Sequence, residues 1–306
     1  MNAIDNPHVY AGAAGKAEVY PYSANLTLWQ PPNQHPVIWV SQHSLYQEGT
    51  AIRGGVPICF PWFAKGLSAN LLPSHGLARL STWQRESVTE DDNAVTAVYT
   101  LDSADAYEAE RFAHPYHVSY TIRMGSHLEL SYAVTNTGSE PFTFEEALHT
   151  YFAVSDVHNI VVEGLDGRDY RDNTNGETYT QDGDIHFTGE VDRVYNTADE
   201  IRVVDPGWKR TLVITRTNSE SAIVWNPWSE RASELPDFGD DEWTGMVCVE
   251  AVNTRHGTIV GPFMTDLTGY PELTPYKGGW CGNDLFPEAL TEAQQKQWRE
   301  ANPCGQ

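Results

Sequence analysis

The chain has 306 residues, 40% hydrophobic and 11% aromatic, which is ample for a large packed core. Lys and Arg number 19 against 42 Asp and Glu, a formal charge of −23 that repels nucleic-acid backbones and anionic membranes and also opposes any anionic ligand. No stretch approaches the roughly 20 uninterrupted apolar residues of a membrane span, so neither nucleic acid nor membrane is expected as a partner.

The N-terminus, MNAIDNPHVYAGAAGKAEVY, lacks the basic and apolar regions of a secretory signal. Alternating apolar and polar residues then predict strands over 17–30, 36–41 and 94–101. The segment AIRGGVPICFPWF (51–63) lies between these runs. Gly54 and Gly55 permit close backbone approach, Pro57 and Pro61 stiffen the path, and Arg53 is its one charge. Arg53 reads either as a ligand for an anion or as the partner of a surface carboxylate. No Lys-Ser/Thr follows the glycines, which excludes a nucleotide P-loop. In LPSHGLARLSTW (72–83), His75 and Arg79 flank a glycine turn and offer a titratable ring and a fixed cationic fork.

YHVSYTIR (116–123) and LELSYAVT (128–135) alternate around Gly125-Ser126 and predict a hairpin. In FTFEEALHTYFAV (142–154), a strand would place His149 with Thr143, Glu145, Tyr151 and Ala153, opposite a core face of Phe142, Phe144, Leu148, Phe152 and Val154. The polar stretch 165–186 reads as a long surface loop, and Asp192 lies in EVDRVYN (190–196), where a lone aspartate is commonly a turn former. Further strands are predicted at 200–204, 210–217, 222–226 and 245–252. In the last of these, GMVCVEAV, both faces are apolar and Glu250 is the one charge, so its carboxylate must be paired, protonated or chemically employed. The one clear helix is terminal, ALTEAQQKQWREA (289–301), with Thr291 as N-cap. Cys59, Cys248, Cys281 and Cys304 make no Cys-x-x-Cys pair and read as reduced thiols, which points to the cytoplasm. Many short strands without a βαβ pattern predict an all-β fold, a large antiparallel β-sandwich, as one domain over 1–306.

Six blocks in register, AIRGGVPICFPWF (51–63), HGLAR followed by Trp83, EEALHTYF (145–152), VDRVY (191–195), VWNPWSE (224–230) and MVCVE (246–250), resemble the hexose-6-phosphate mutarotases. This family, also called glucose-6-phosphate 1-epimerases, belongs to the galactose-mutarotase-like superfamily. The resemblance covers about residues 20–250; Ser74 stands where some members carry glutamine, and 261–306 form an atypical tail. It implies the galactose-mutarotase-like supersandwich, no cofactor and no metal, and a small sugar phosphate as substrate, bound by a monomer. It also implies His149 as general acid toward the ring oxygen and Glu250 as base toward the anomeric hydroxyl. His75 and Asp192 would hold the sugar, and Arg53 and Arg79 the phosphate.

Ring opening requires a proton to leave the C1 hydroxyl while the ring oxygen gains one, so an acid and a base are expected on opposite sides of the C1–O5 unit. That requires His149 as a cation. The competing readings are a mutarotase of unphosphorylated aldoses, a two-carboxylate glycosidase using Glu250 and Asp192, and a non-catalytic carbohydrate-binding sandwich presenting Trp62, Trp225 and Trp228.

Overall fold

The structure is a computed structural model and describes residues 4, 6–12 and 15–260, with side chains to Thr254. The terminal helix expected at 289–301, the tail from 261, Cys281 and Cys304 lie outside the described residues. What is described is an all-β architecture of antiparallel sheets. The largest has eight strands, and across it run Thr178–Thr180, Asp169–Asp172, Val191–Tyr195, Ser221–Asn226, Met246–Val260, Phe142–Leu148 and Ile58–Cys59, while Tyr151–Ala153 also pairs with Met246–Val260.

The expected hairpin forms with Tyr116–Met124 against Leu128–Asn136, joined to Gln84–Glu90 and Val95–Asp102 in a four-stranded sheet. Strict alternation explains its placement: Tyr116, Val118, Tyr120 and Ile122 are all buried. Phe60 joins the two sheets edge-on, with Tyr116 at 5.1 Å, Tyr132 at 6.0 Å and Phe144 at 5.3 Å. Two three-stranded sheets, His8–Gly12/Gly15–Tyr20/Asn25–Gln30 and Val161–Glu163/Ile201–Asp205/Arg210–Ile214, complete the described strands.

Several expectations are corrected. Residues 17–30 form two strands separated by a turn in which Ser23 and Ala24 adopt positive φ. Residues 36–41 carry only isolated bridges, Ile38 to Phe152 and Val40 to Gly54, because Pro36 and the adjoining turns interrupt a ladder. Residues 142–154 break as a strand at His149-Thr150, where the Thr150 amide turns back to the Leu148 carbonyl (2.9 Å), while the His149 amide still donates to the Pro57 carbonyl (3.0 Å) in register with Ile58–Cys59. A six-residue helix, Trp228–Ser233, is also present, too short to leave a periodic signal. Among the described residues no helix is long and apolar enough to cross a membrane.

Candidate active site

The site follows from register. Asp192 lies opposite Trp225, Trp225 opposite Cys248, and Cys248 opposite Tyr151, so one row of side chains crosses four strands. Two residues along, on the same face, the alternation sets Glu250 beside the position vacated where the partner strand breaks. His149 occupies that position. Its ring stacks on Tyr151 at 4.8 Å and 10°, meets Trp225 edge-on at 5.9 Å, and brings Nδ1 to 3.3 Å from Glu250 Oε1.

Both members of this pair retain unused hydrogen-bonding capacity. His149 Nδ1 and Glu250 Oε2 are buried without a hydrogen-bond partner. The carboxyl group is 1% exposed and the imidazole 12%. Burial, with Asp192 adding like charge, holds the Glu250 carboxyl well above the usual carboxylate range. Burial and the cationic charges of Arg79 and Arg53 push the His149 imidazole the other way, far below its ordinary value. Both directions favour a protonated carboxyl and a neutral imidazole over the ion pair. The 3.3 Å separation leaves no space for a sugar carbon between Nδ1 and Oε1, so a sugar would meet the pair through its other polar atoms.

The other sequence candidates surround the pair. Arg53 arrives on the glycine turn: at Gly55, φ +78°, a Cβ would lie 2.1 Å from Asn25 Oδ1. That asparagine locks the turn, accepting from the Val56 amide (2.7 Å) and donating to the Gly54 carbonyl (3.0 Å). The Arg53 guanidinium is largely committed. Nε and Nη2 donate to Asp237 at 3.1 and 3.0 Å, and Nη1 donates to the Tyr151 hydroxyl at 3.2 Å. Arg79 is freer: Nη2 donates to the Ser74 carbonyl at 2.8 Å, and Nε has no partner. The His75 ring packs against Phe63 at 4.6 Å and lies 5.9 Å from that of His149. Asp192 accepts from Asn173 Nδ2 through Oδ1 (2.8 Å), and its carboxyl is shifted upward by burial. Trp62 is buried with Nε1 donating to the Pro73 carbonyl, and Trp228 packs on Trp243, so of the three tryptophans only Trp225 adjoins the pair.

Sequence reasoning assigned no task to Tyr151, Asp237, Asn173 or Cys59. The alternation that placed Tyr151 on the face of His149 was the available signal for the first. Asp237 comes from 184 positions away and left none.

His149, Cys248 and Glu250 set three ligand atoms within 4.8 Å of one another, close enough to suit a divalent cation. Two features oppose one. Burial raises the Cys248 thiol well above its usual range, and Arg53 and Arg79 direct positive charge at the group. The same two arginines favour an anionic ligand over a metal ion.

Known proteins show the same arrangement of chain. The aldose 1-epimerase family model matches residues 9–262. A protein of Cenchrus ciliaris named "Putative glucose-6-phosphate 1-epimerase" is 34% identical over 285 residues, covering 89% of this chain and 84% of its own. One of the same name from Salmonella typhimurium is 32% identical over 252 residues, 81% of each chain. The crystal structure of a mutarotase-class protein from Salmonella typhimurium, named "putative mutarotase", superposes with a TM-score of 0.74 at 30% identity, covering 84% of each chain. With the fold and these relatives in agreement, the chain belongs to the aldose 1-epimerase family and is an isomerase.

Proposed function

We propose that the protein interconverts the α and β anomers of a D-hexose 6-phosphate by general acid–base ring opening, with His149 and Glu250 as the catalytic pair. The observation that carries this reading is a buried imidazole and carboxyl 3.3 Å apart, each with an unpartnered atom, beside an arginine whose Nε is also unpartnered.

The proton inventory closes. The cycle starts with the proton on Glu250; when the pair closes its 3.3 Å contact into a hydrogen bond, passage of that proton to His149 creates carboxylate and imidazolium. The carboxylate then takes the C1 hydroxyl proton while the imidazolium protonates the ring oxygen, and the C1–O5 bond opens. Rotation about C1–C2 and the reverse transfers close the ring on its other face, and the pair regains its starting state. A bound phosphate assists the first transfer. Arg79 and Arg53 are the charges that depress His149, so a dianion placed beside them cancels part of that field and restores the basicity of the imidazole. His75 and Asp192 hold sugar oxygens, and the Trp225 ring supports an apolar sugar face.

No metal or cofactor is required by this sequence of transfers. The free, buried thiols of Cys59 and Cys248 fit a reducing cytoplasm.

A second reading is favoured by one observation: Arg53 spends its fork on Asp237 and Tyr151, leaving Arg79 as the main anion ligand in a chain of charge −23. On that reading the substrate is an unphosphorylated aldose. Exchange NMR on glucose and glucose 6-phosphate separates the two. A kcat/KM at least tenfold higher for the phosphorylated sugar is expected, and comparable values would reject the phosphate assignment.

A further inference from the structure

Cys59 is fully buried and has no part in the proton transfers above, yet its Sγ lies 3.4 Å from His75 Nδ1. The backbone amide of Ala64 points at the same nitrogen from 3.3 Å. A backbone N–H can only donate, so Nδ1 presents a lone pair to it. The thiol, held protonated by burial, can add a second, weaker donor to that lone pair.

The frame around the ring is rigid. The His75 amide donates to the Ala64 carbonyl at 2.6 Å, so one residue both donates to His75 and accepts from it. His75 and Gly76 take consecutive left-handed conformations, φ +64° and +75°, which turn the ring back over the 60–64 segment. There is no room to relax: a Cβ at Gly76 would lie 2.2 Å from the Phe60 carbonyl oxygen. Phe63 meets the ring edge-on at 4.6 Å. The surroundings also oppose a second proton, because burial, Arg79, His149 and Arg53 all disfavour the imidazolium.

We infer that His75 is locked as the neutral Nε2–H tautomer by the Ala64 amide and the Cys59 thiol, and that it serves as a pure hydrogen-bond donor to a sugar oxygen. A fixed donor suits an oxygen that carries no hydrogen, either the ring oxygen before opening or the carbonyl oxygen after it. It cannot accept the C1 hydroxyl proton, so the base function is left to the His149–Glu250 pair. The sugar contact rests on the epimerase reading, whereas the tautomer does not.

The test begins with the resting protein. Long-range ¹H–¹⁵N correlation on histidine-labelled protein, with His75 assigned by difference from His75→Gln, reports each ring nitrogen separately. The expected pattern is Nε2 protonated and Nδ1 bare, unchanged between pH 8 and pH 6. A protonated Nδ1, or an averaged signal, overturns the lock. Activity then tests the donor. Glutamine can carry an amide N–H to the place of Nε2, and alanine cannot. His75→Gln should keep kcat/KM for the preferred sugar within about tenfold, and His75→Ala should lose about 10²-fold, the scale of one donor aimed at a reacting oxygen. Equal losses in two folded variants overturn the donor role. Because the NMR pattern is read without sugar, its failure leaves the epimerase assignment standing. Failure of that assignment in turn leaves the tautomer intact.

Discussion

Two glutamates, Glu146 and Glu250, sit in adjacent strands of the same sheet, both buried, 5% and 1% exposed, and both with carboxyl groups raised by desolvation. They lie on opposite faces. Glu146 alternates with Phe144 and Leu148 toward the core, where Asn253 Nδ2 donates to its Oε1 at 2.8 Å. That amide is itself fixed by the Asn218 carbonyl and by the Glu220 amide. Glu250 alternates with Cys248 toward the other face, where its Oε1 lies 3.3 Å from the His149 imidazole and its Oε2 has no partner. Burial and a raised proton affinity are thus common to a structural carboxyl and to the one proposed as catalytic. What differs is whether the local hydrogen bonds are completed. A core completes them; a site leaves them for the ligand.

The sharpest way to break this comparison is to neutralise each glutamate in turn. Glu250→Gln should lower the rate of anomer exchange by about 10³- to 10⁴-fold, near the upper end of what one acid–base group contributes. Its melting temperature should match or exceed that of the wild type, because the substitution removes a buried acid that has no completed hydrogen-bond set. Glu146→Gln should leave exchange within about threefold. Parallel losses in both variants, measured by exchange NMR, would mean that the two faces are energetically one unit.

His149→Asn comes next, at about 10²- to 10³-fold, since the remaining carboxyl group can still exchange a proton with the C1 hydroxyl. The loss should fall on kcat more than KM, as expected for a group that acts mainly in the transition state. A smaller effect is expected at the anion side. Arg79→Ala should raise KM for glucose 6-phosphate by about 10- to 100-fold and leave the KM for glucose nearly unchanged. If both constants moved together, Arg79 would be supporting the Ser74 turn, to whose carbonyl its Nη2 donates, instead of the ligand.

Much of this contrast was legible in the sequence. Alternation in GMVCVEAV isolates Glu250 as the one charge in a strand apolar on both faces, and alternation in 142–154 correctly set His149 and Tyr151 on one side. Alternation could not reveal the break at His149-Thr150, where the Thr150 amide turns back to the Leu148 carbonyl, nor that the His149 amide donates to the carbonyl of Pro57, 92 residues earlier in the chain. Arg53 shows the same limit from the other side. Sequence left it open between an anion ligand and a paired arginine, and the carboxylate that decides the matter, Asp237, lies 184 positions away on a loop with no periodic signal. Local pattern places side chains on faces; which polar atoms remain free is set by long-range closure.

The smallest expected effect bears on stability and concerns Glu146 alone. Its carboxyl is raised from 4.5 to about 7, chiefly by burial, with the Asn253 hydrogen bond pulling weakly the other way. Below about pH 4.5 the folded and unfolded chains both hold this proton, and the group has no effect on the balance. As pH rises from there toward 7 the unfolded chain releases its proton first, so the folded state binds more protons and loses stability. Above about 7 the loss is complete. The full shift corresponds to roughly 3 kcal/mol at most. Glu145, also raised to about 7 by burial, contributes with the same sign but accepts hydrogen bonds from the Phe63 and Leu67 backbone amides that favour its charge. Glu146→Gln removes the first contribution while keeping an oxygen to accept from Asn253, at the cost of a new buried N–H. The variant should therefore gain about 1–2 kcal/mol over the wild type at pH 8 in denaturant titration and nothing at pH 4.5. A difference of equal size and sign at both values would show that packing, and not the proton, separates the two side chains, and the core carboxyl would then titrate in the folded chain as it does in the unfolded one.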